Sequence, residues 1–130
     1  MPPSAPRIGQ DLVDVGRFRR ALERKEAGFR RRVLTALEWA WSAEEADPAP
    51  RAAACFAAKE AAFKALGSGW GNGVAWQDVE VVQGGSSLRL SGRAAALADE
   101  ANVDLTVSLA HTEKTAVAMV LAQPRAQPRA

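Results

Sequence analysis

Hydrophobic and polar positions alternate along residues 7–15, RIGQDLVDV, and the aliphatic, β-branched content there predicts a strand that turns at Gly16. With a period of two, Asp11, Val13 and Val15 share one face of that strand, and Ile8, Gln10, Leu12 and Asp14 share the other. The period then lengthens. Phe18, Leu22 and Phe29 recur among arginines at helical spacing, which predicts an amphipathic helix over 17–31 with these three on the buried side. Thr35 and Glu38 stand in the T-x-x-E spacing of a capping box, so a second helix is expected from about 36 to 46, ended by Pro48 and Pro50. RAAACFAAKEAAFKAL, residues 51–66, is the strongest helical stretch: its alanines have the best propensity, and Gly67 supplies a left-handed stop.

The second half reads differently. A glycine-rich loop, GSGWGNG (67–73), precedes two alternating runs, WQDVEVV (76–82) and SSLRLSG (86–92), set around Gly84-Gly85 as a hairpin. Residues 93–101 fit a short alanine-rich helix. DLTVSLA (104–110) and TAVAMVLA (115–122) predict a second hairpin across the loop that begins at His111. The closing QPRAQPRA has nothing to bury, so residues 1–122 are expected to form one domain and 123–130 a mobile tail. This order of elements is not a regular βαβ alternation. It favours an α+β fold with an antiparallel sheet packed on a long central helix.

Composition narrows the function classes. The chain has 130 residues, 48% of them hydrophobic and 25% charged, which suits one globular domain. One cysteine, Cys55, excludes an intramolecular disulfide and a cysteine-rich zinc site, and one histidine, His111, excludes a metal site needing two imidazoles. No apolar run approaches the roughly 18 residues of a membrane helix, and Met1 to Arg7 does not read as a secretory signal. The expectation is a soluble cytoplasmic domain with no membrane partner. The net charge of +2 is unevenly spread: residues 1–32 carry nine Lys or Arg against four Asp or Glu, and residues 33–122 carry six against eleven. The arginine-rich first helix suits an acidic partner, or is simply a solvated face. Phe18 and Phe29 belong to the core side, which weakens base stacking and leaves a nucleic-acid module the least favoured reading.

Candidate chemistry gathers on the long helix. Glu60 lies about 40° around the helix from Phe56, and Lys64 follows Glu60 by four residues on the same face. Lys59 falls inside the apolar stripe. Either Glu60 and Lys64 are an exposed ion pair, or these charges beside a buried edge need a metal or an ionic ligand. The glycine loop is either a turn or a place where backbone amides approach a ligand; it lacks the GK[ST] ending of a phosphate-binding P-loop. Cys55 reads as a small buried residue, and His111 ends a strand in a tight polar loop.

IGQDLVDVGRF, FAAKEAAFKALGSG and VSLAHT, in this order, resemble the holo-[acyl-carrier-protein] synthases, the small members of the 4′-phosphopantetheinyl transferase superfamily, over residues 7–122. The resemblance implies that fold, and transfer of the 4′-phosphopantetheine arm of coenzyme A to a serine of an apo carrier protein, releasing adenosine 3′,5′-bisphosphate. It implies Mg²⁺ held by Asp11 and Glu60, and Lys64 at the phosphates, with Glu60 or a metal-held water taking the serine proton. Lys59, Gly67, Ser68, Gly69, His111 and Thr112 fall at cofactor-binding positions, with His111 also among the catalytic ones. Arg17 and, more weakly, Arg24 match positions that dock the acidic carrier. A homotrimer is implied, with His111 reaching the site from a neighbouring copy. Cys55 stands where the family usually has arginine, one turn after Arg51, and supports the alternative of a non-catalytic relative that binds coenzyme A or a carrier.

Overall fold

The computed structural model describes residues 5–24, 28–67 and 73–126. A helix made almost wholly of small apolar residues can be surrounded on every side, and that is the place of α4 (Ala49–Leu66): Ala52, Ala53, Ala54, Ala57, Ala58, Ala61 and Ala62 are all fully buried. It begins two residues earlier than expected. Pro48 occupies its N-cap and Pro50 its first turn, where a missing N–H costs nothing, so the prolines start this helix, whereas the one before, expected to run to about 46 and to be ended by them, already stops at Ser42. Gly67 closes it in the left-handed region at φ 72°, as read from the sequence.

Against one side of α4 lies an antiparallel sheet in the order β1-β5-β4, built from β1 (Arg7–Asp14), β4 (Val103–His111) and β5 (Thr115–Pro124). Its inner face is small as well: Gly9 on β1, and Ala116, Ala118, Val120 and Ala122 on β5, are buried. A Cβ on Gly9 would stand 1.9 Å from the carbonyl oxygen of Ala61, so strand and helix touch backbone to backbone there. The outer face is open and carries an apolar patch on β1 and β5. Ile8 pairs with Leu121 and Leu12 with Val117, while Ile8, Leu12 and Met119 are 63%, 70% and 45% exposed.

On the other side of α4 lie α3 (Ala36–Ser42) and the short hairpin of β2 (Val79–Val82) and β3 (Ser87–Leu90). The capping box is present: Thr35 Oγ1 accepts from Glu38 N at 3.2 Å, and Glu38 Oε1 accepts from Thr35 N at 2.8 Å. The strand expected over 76–82 is half that length, because Trp76–Asp78 is a 3₁₀ turn whose Asp78 side chain accepts from Ala75 N. Helix α5 (Gly92–Ala101) links this hairpin to β4.

Two expectations are corrected. The helix placed over 17–31 is two helices, α1 (Val15–Glu23) and α2 (Phe29–Val33), with residues 25–27 outside the described set. Gly28 precedes α2 at φ 71°, a conformation no continuous helix accommodates. The buried side was legible nonetheless, since Phe18 and Phe29 meet at 5.8 Å between ring centroids. Residues 123–125, expected within the tail, are also held on the fold. Strand β5 runs through Pro124, and Arg125 donates to Asp99 and Asp104, each at 2.8 Å, which ties it to α5 and β4. Residues 127–130 lie outside the described set.

Candidate functional site

Strand β1 ends in Asp14, whose carboxylate caps α1 by accepting from Arg17 N at 2.8 Å. That cap fixes the angle at which the arginine-rich helix leaves the sheet, and a pocket of about 580 Å³ opens in the corner between β1, α1 and α4. Asp11 and Glu60 line it, as do Arg17, Arg20 and Arg24 at helical spacing on α1, and Phe18, Phe29 and Phe56 provide apolar wall.

The acidic side carries strain that is electrostatic. Partial burial pushes the Glu60 carboxyl above its ordinary value, the negative Asp11 pushes it further the same way, and Lys64 offsets part of this. Lys64 reaches from α4 to β1, with Nζ donating to Asp11 Oδ1 at 3.1 Å and to Gln10 O at 2.9 Å. Its side chain is about half exposed, so this bridge can be exchanged for another anion at little cost. Two carboxylates that repel one another inside one pocket are a fit for a divalent cation. Among the described residues no three acidic, histidine or cysteine side chains converge, so the oxygen set is two carboxylates with the remaining positions open. Mg²⁺ is commonly held in that manner, by one or two carboxylates together with waters and substrate phosphates.

The structure therefore gathers Asp11, Glu60, Arg17 and Arg24 around one opening, with Lys64 joined to it through Asp11. It does not bring His111 there within a single chain. His111 ends β4 opposite Ala116, which in turn faces Val13, so it lies two strands from β1, roughly 10 Å across the sheet. Thr112 beside it turns the hairpin: its hydroxyl accepts from Lys114 N at 3.2 Å and from Thr115 N at 3.1 Å. Gly67 sits at the end of α4 beside Arg7, and Ser68 and Gly69 fall outside the described residues.

Lys59 requires a correction. Expected at the cofactor, it is fully buried on the far side of α4, and its three N–H donors are spent on Glu38 Oε1 at 2.8 Å, Trp76 O at 3.1 Å and Val79 O at 2.5 Å. Glu38 is equally buried, and its second oxygen accepts from Val81 N at 2.7 Å. Sequence reasoning saw Glu38 only as a helix cap. The signal that pointed further was Lys59 itself, a cation in an apolar stripe that demands a buried anion. Arg20, too, went unassigned, although it lies three residues from Arg17 on the same helical face.

Cys55 is fully buried, and burial together with the nearby Glu38 charge pushes its thiol far above the ordinary range. It faces away from the pocket, about 140° around α4 from Glu60. Arg51 is held by Glu44 at 3.0 Å and Glu45 at 2.9 Å, with its guanidinium stacked 4.7 Å from the Trp41 ring.

Comparison with known proteins gives a consistent result. The family model described as 4′-phosphopantetheinyl transferase superfamily matches residues 7–120. A holo-[acyl-carrier-protein] synthase of Solibacter usitatus is 41% identical over 117 residues, which is 87% of this chain and 94% of that protein. An ACPS–CoA complex from Chronobacterium ammoniagenes superposes with a TM-score of 0.81 at 27% identity, covering 95% of this chain and all of that one. The holo-[acyl-carrier-protein] synthase of Helicobacter pylori in complex with coenzyme A superposes with a TM-score of 0.76 at 27% identity, covering 89% and 99%.

Proposed function

The chain belongs to the 4′-phosphopantetheinyl transferase superfamily, and from that premise we propose that it is a Mg²⁺-dependent enzyme working through Asp11, Glu60 and Lys64. It transfers the 4′-phosphopantetheine arm of coenzyme A to a serine of an apo acyl carrier protein and releases adenosine 3′,5′-bisphosphate. The serine Oγ forms a bond to the phosphorus that carries the arm, and the bond from that phosphorus to the bridging diphosphate oxygen breaks.

The observation that carries this reading is the convergence of Asp11 and Glu60 in one pocket that Arg17, Arg20 and Arg24 also line. Asp11 and Glu60 would hold Mg²⁺, which when bound neutralises the diphosphate and stabilises charge on the departing oxygen. Lys64 exchanges its Asp11 contact for a phosphate oxygen and stays within reach of the leaving group. Glu60, or a water held beside it, accepts the serine proton. Phe18, Phe29 and Phe56 exclude water from one side of the reacting atoms. Arg17 and Arg24, joined by Arg20, attract an acidic carrier and raise its association rate more than its final affinity.

His111 and Thr112 complete the nucleotide site from a neighbouring copy in a homotrimer. Two features support that assembly: the distance of His111 from Asp11 within one chain, and the apolar patch on the outer face of the sheet, where Ile8, Leu12 and Met119 stand exposed. Gly67, with Ser68 and Gly69 after it, lets the backbone approach the nucleotide. The non-catalytic alternative rested on Cys55, whose burial away from the pocket removes that support.

Intact-mass spectrometry of an apo carrier incubated with the protein, coenzyme A and Mg²⁺ tests the proposal. A gain of one phosphopantetheine group that a chelator abolishes is expected. Unchanged carrier mass with folded protein and every tested carrier would overturn it.

A further inference from the structure

Arg7 opens β1, and its alternation with Gly9 and Asp11 places all three on the strand face that meets α4. Gly9 lies on the Ala61 backbone, Asp11 lines the pocket with Glu60, and Arg7 reaches the other end of the contact, at Gly67. A Cβ on Gly67 would stand 2.5 Å from Arg7 Nη1, so the glycine that caps α4 at φ 72° also makes the seat for this guanidinium. Arg7 is exposed, and among the described residues it forms no ion pair. Lys64 stands between the two ends, its Nζ shared by Gln10 O and Asp11 Oδ1. Along the β1–α4 contact lie, in order, two carboxylates, a half-exposed ammonium and an unpaired guanidinium.

We propose that Arg7 binds the ribose 3′-phosphate of the donor and so sets the preference of the enzyme for coenzyme A over donors that lack this group. The inference rests on the function proposed above and deepens it. The departing product, adenosine 3′,5′-bisphosphate, carries phosphate at two separate places on its ribose. With the 5′-phosphate among Asp11, Glu60 and Lys64, the second phosphate needs a cation one ribose away. Strand β1 sets Asp11 and Arg7 about 13 Å apart at the backbone, an interval that the ribose and the two side chains span. Arginine suits a phosphomonoester because its fork of N–H donors meets two phosphate oxygens at once. Arg51 and Arg125, by contrast, are already held by carboxylates. A cation beside the last carbonyls of α4 also suits the helix dipole, and the two roles differ in what they bind.

Titration calorimetry in Mg²⁺ compares adenosine 3′,5′-bisphosphate with adenosine 5′-monophosphate, which differ only in the 3′-phosphate, on wild type, Arg7→Gln and Arg7→Lys. The wild type is expected to bind the bisphosphate at least about tenfold more tightly. Arg7→Gln should bring the two affinities within about threefold of each other by weakening the bisphosphate, and Arg7→Lys should keep part of the preference. In transfer to one apo carrier, the ratio of kcat/KM for coenzyme A over 3′-dephospho-coenzyme A should fall in step, through KM. Equal affinities in the wild type, or no binding of either nucleotide, would overturn the proposal. A preference that Arg7→Gln leaves intact would overturn it as well, and with a lowered melting temperature would assign Arg7 to the end of α4 alone. A wild type with the expected nucleotide preference but no transfer to any carrier would support the Arg7 assignment and refute the parent reading.

Discussion

Two consecutive residues of one helix show how little the local sequence says about a charge. Glu60 and Lys59 are neighbours in the chain, yet one lines an open pocket and the other is sealed in the core. The pattern around Lys59 was legible as an anomaly, but its partner Glu38 sits on a different helix, and only the tertiary fold joins them. Removing one member of a fully buried pair strands the other charge. Lys59→Met is therefore expected to cost about 3–5 kcal/mol in denaturant unfolding, with the Lys59→Met/Glu38→Leu double variant recovering much of it. A single variant as stable as wild type would contradict that. Glu60 is expected to do the opposite. Its proton affinity is raised in the folded protein, so its ionised form destabilises the metal-free fold at neutral pH, and the penalty vanishes below the ordinary glutamate range, near pH 4.3. Glu60→Gln should melt higher than wild type at pH 7.5 in chelator, with the gap closing as the pH falls through that range. A gap that widens on acidification would contradict the assignment.

At the scale of elements, α4 and its capping glycine, the capping box at Thr35 and the β4–β5 hairpin were legible because each is written in a short stretch of chain. The break between α1 and α2 was not. Arginines and phenylalanines continue their helical spacing through Gly28, and what interrupts the helix is the packing of Phe29 onto Phe18 with Gly28 at positive φ. The contact that positions Asp11 was equally hidden. Gly9 reads as an ordinary strand residue, yet only the absence of a side chain lets β1 lie on the Ala61 backbone, two residues from Asp11 and one from Glu60. Because the clash is with backbone, no rotamer relieves it. Gly9→Ala is expected to cost at least about 2 kcal/mol by overpacking and to weaken transfer by displacing Asp11 from Glu60. Calorimetric melting alongside the carrier-modification rate checks both effects, and wild-type values in both would contradict the backbone contact.

For the whole molecule, the apolar patch on the outer face of the sheet and the remoteness of His111 point to the same arrangement. The polar–apolar alternation of β1 placed Asp11 on one face and Ile8 and Leu12 on the other, but two apolar residues facing outward reads in sequence as ordinary strand content. Their exposure, 63% and 70%, is visible only once the inner face is known to be filled by α4. Leu12→Asp places a charge among those apolar residues, opposite Val117. Light scattering should give a trimer for the wild type and a monomer for Leu12→Asp, with the KM for coenzyme A rising at least tenfold as His111 of the neighbouring copy is lost. A wild-type monomer, or a trimer unaffected by Leu12→Asp, would contradict the assembly.

The central claim is that Asp11 and Glu60 hold the metal on which transfer depends, and its most direct test is the initial rate of carrier modification as a function of Mg²⁺ concentration for wild type and Glu60→Gln. Carrier binding is followed in parallel by titration calorimetry. The wild-type rate should saturate with Mg²⁺, and Glu60→Gln should fall at least a hundredfold at every concentration while binding the carrier as before. A Glu60→Gln enzyme within threefold of wild type at saturating Mg²⁺ would contradict the account.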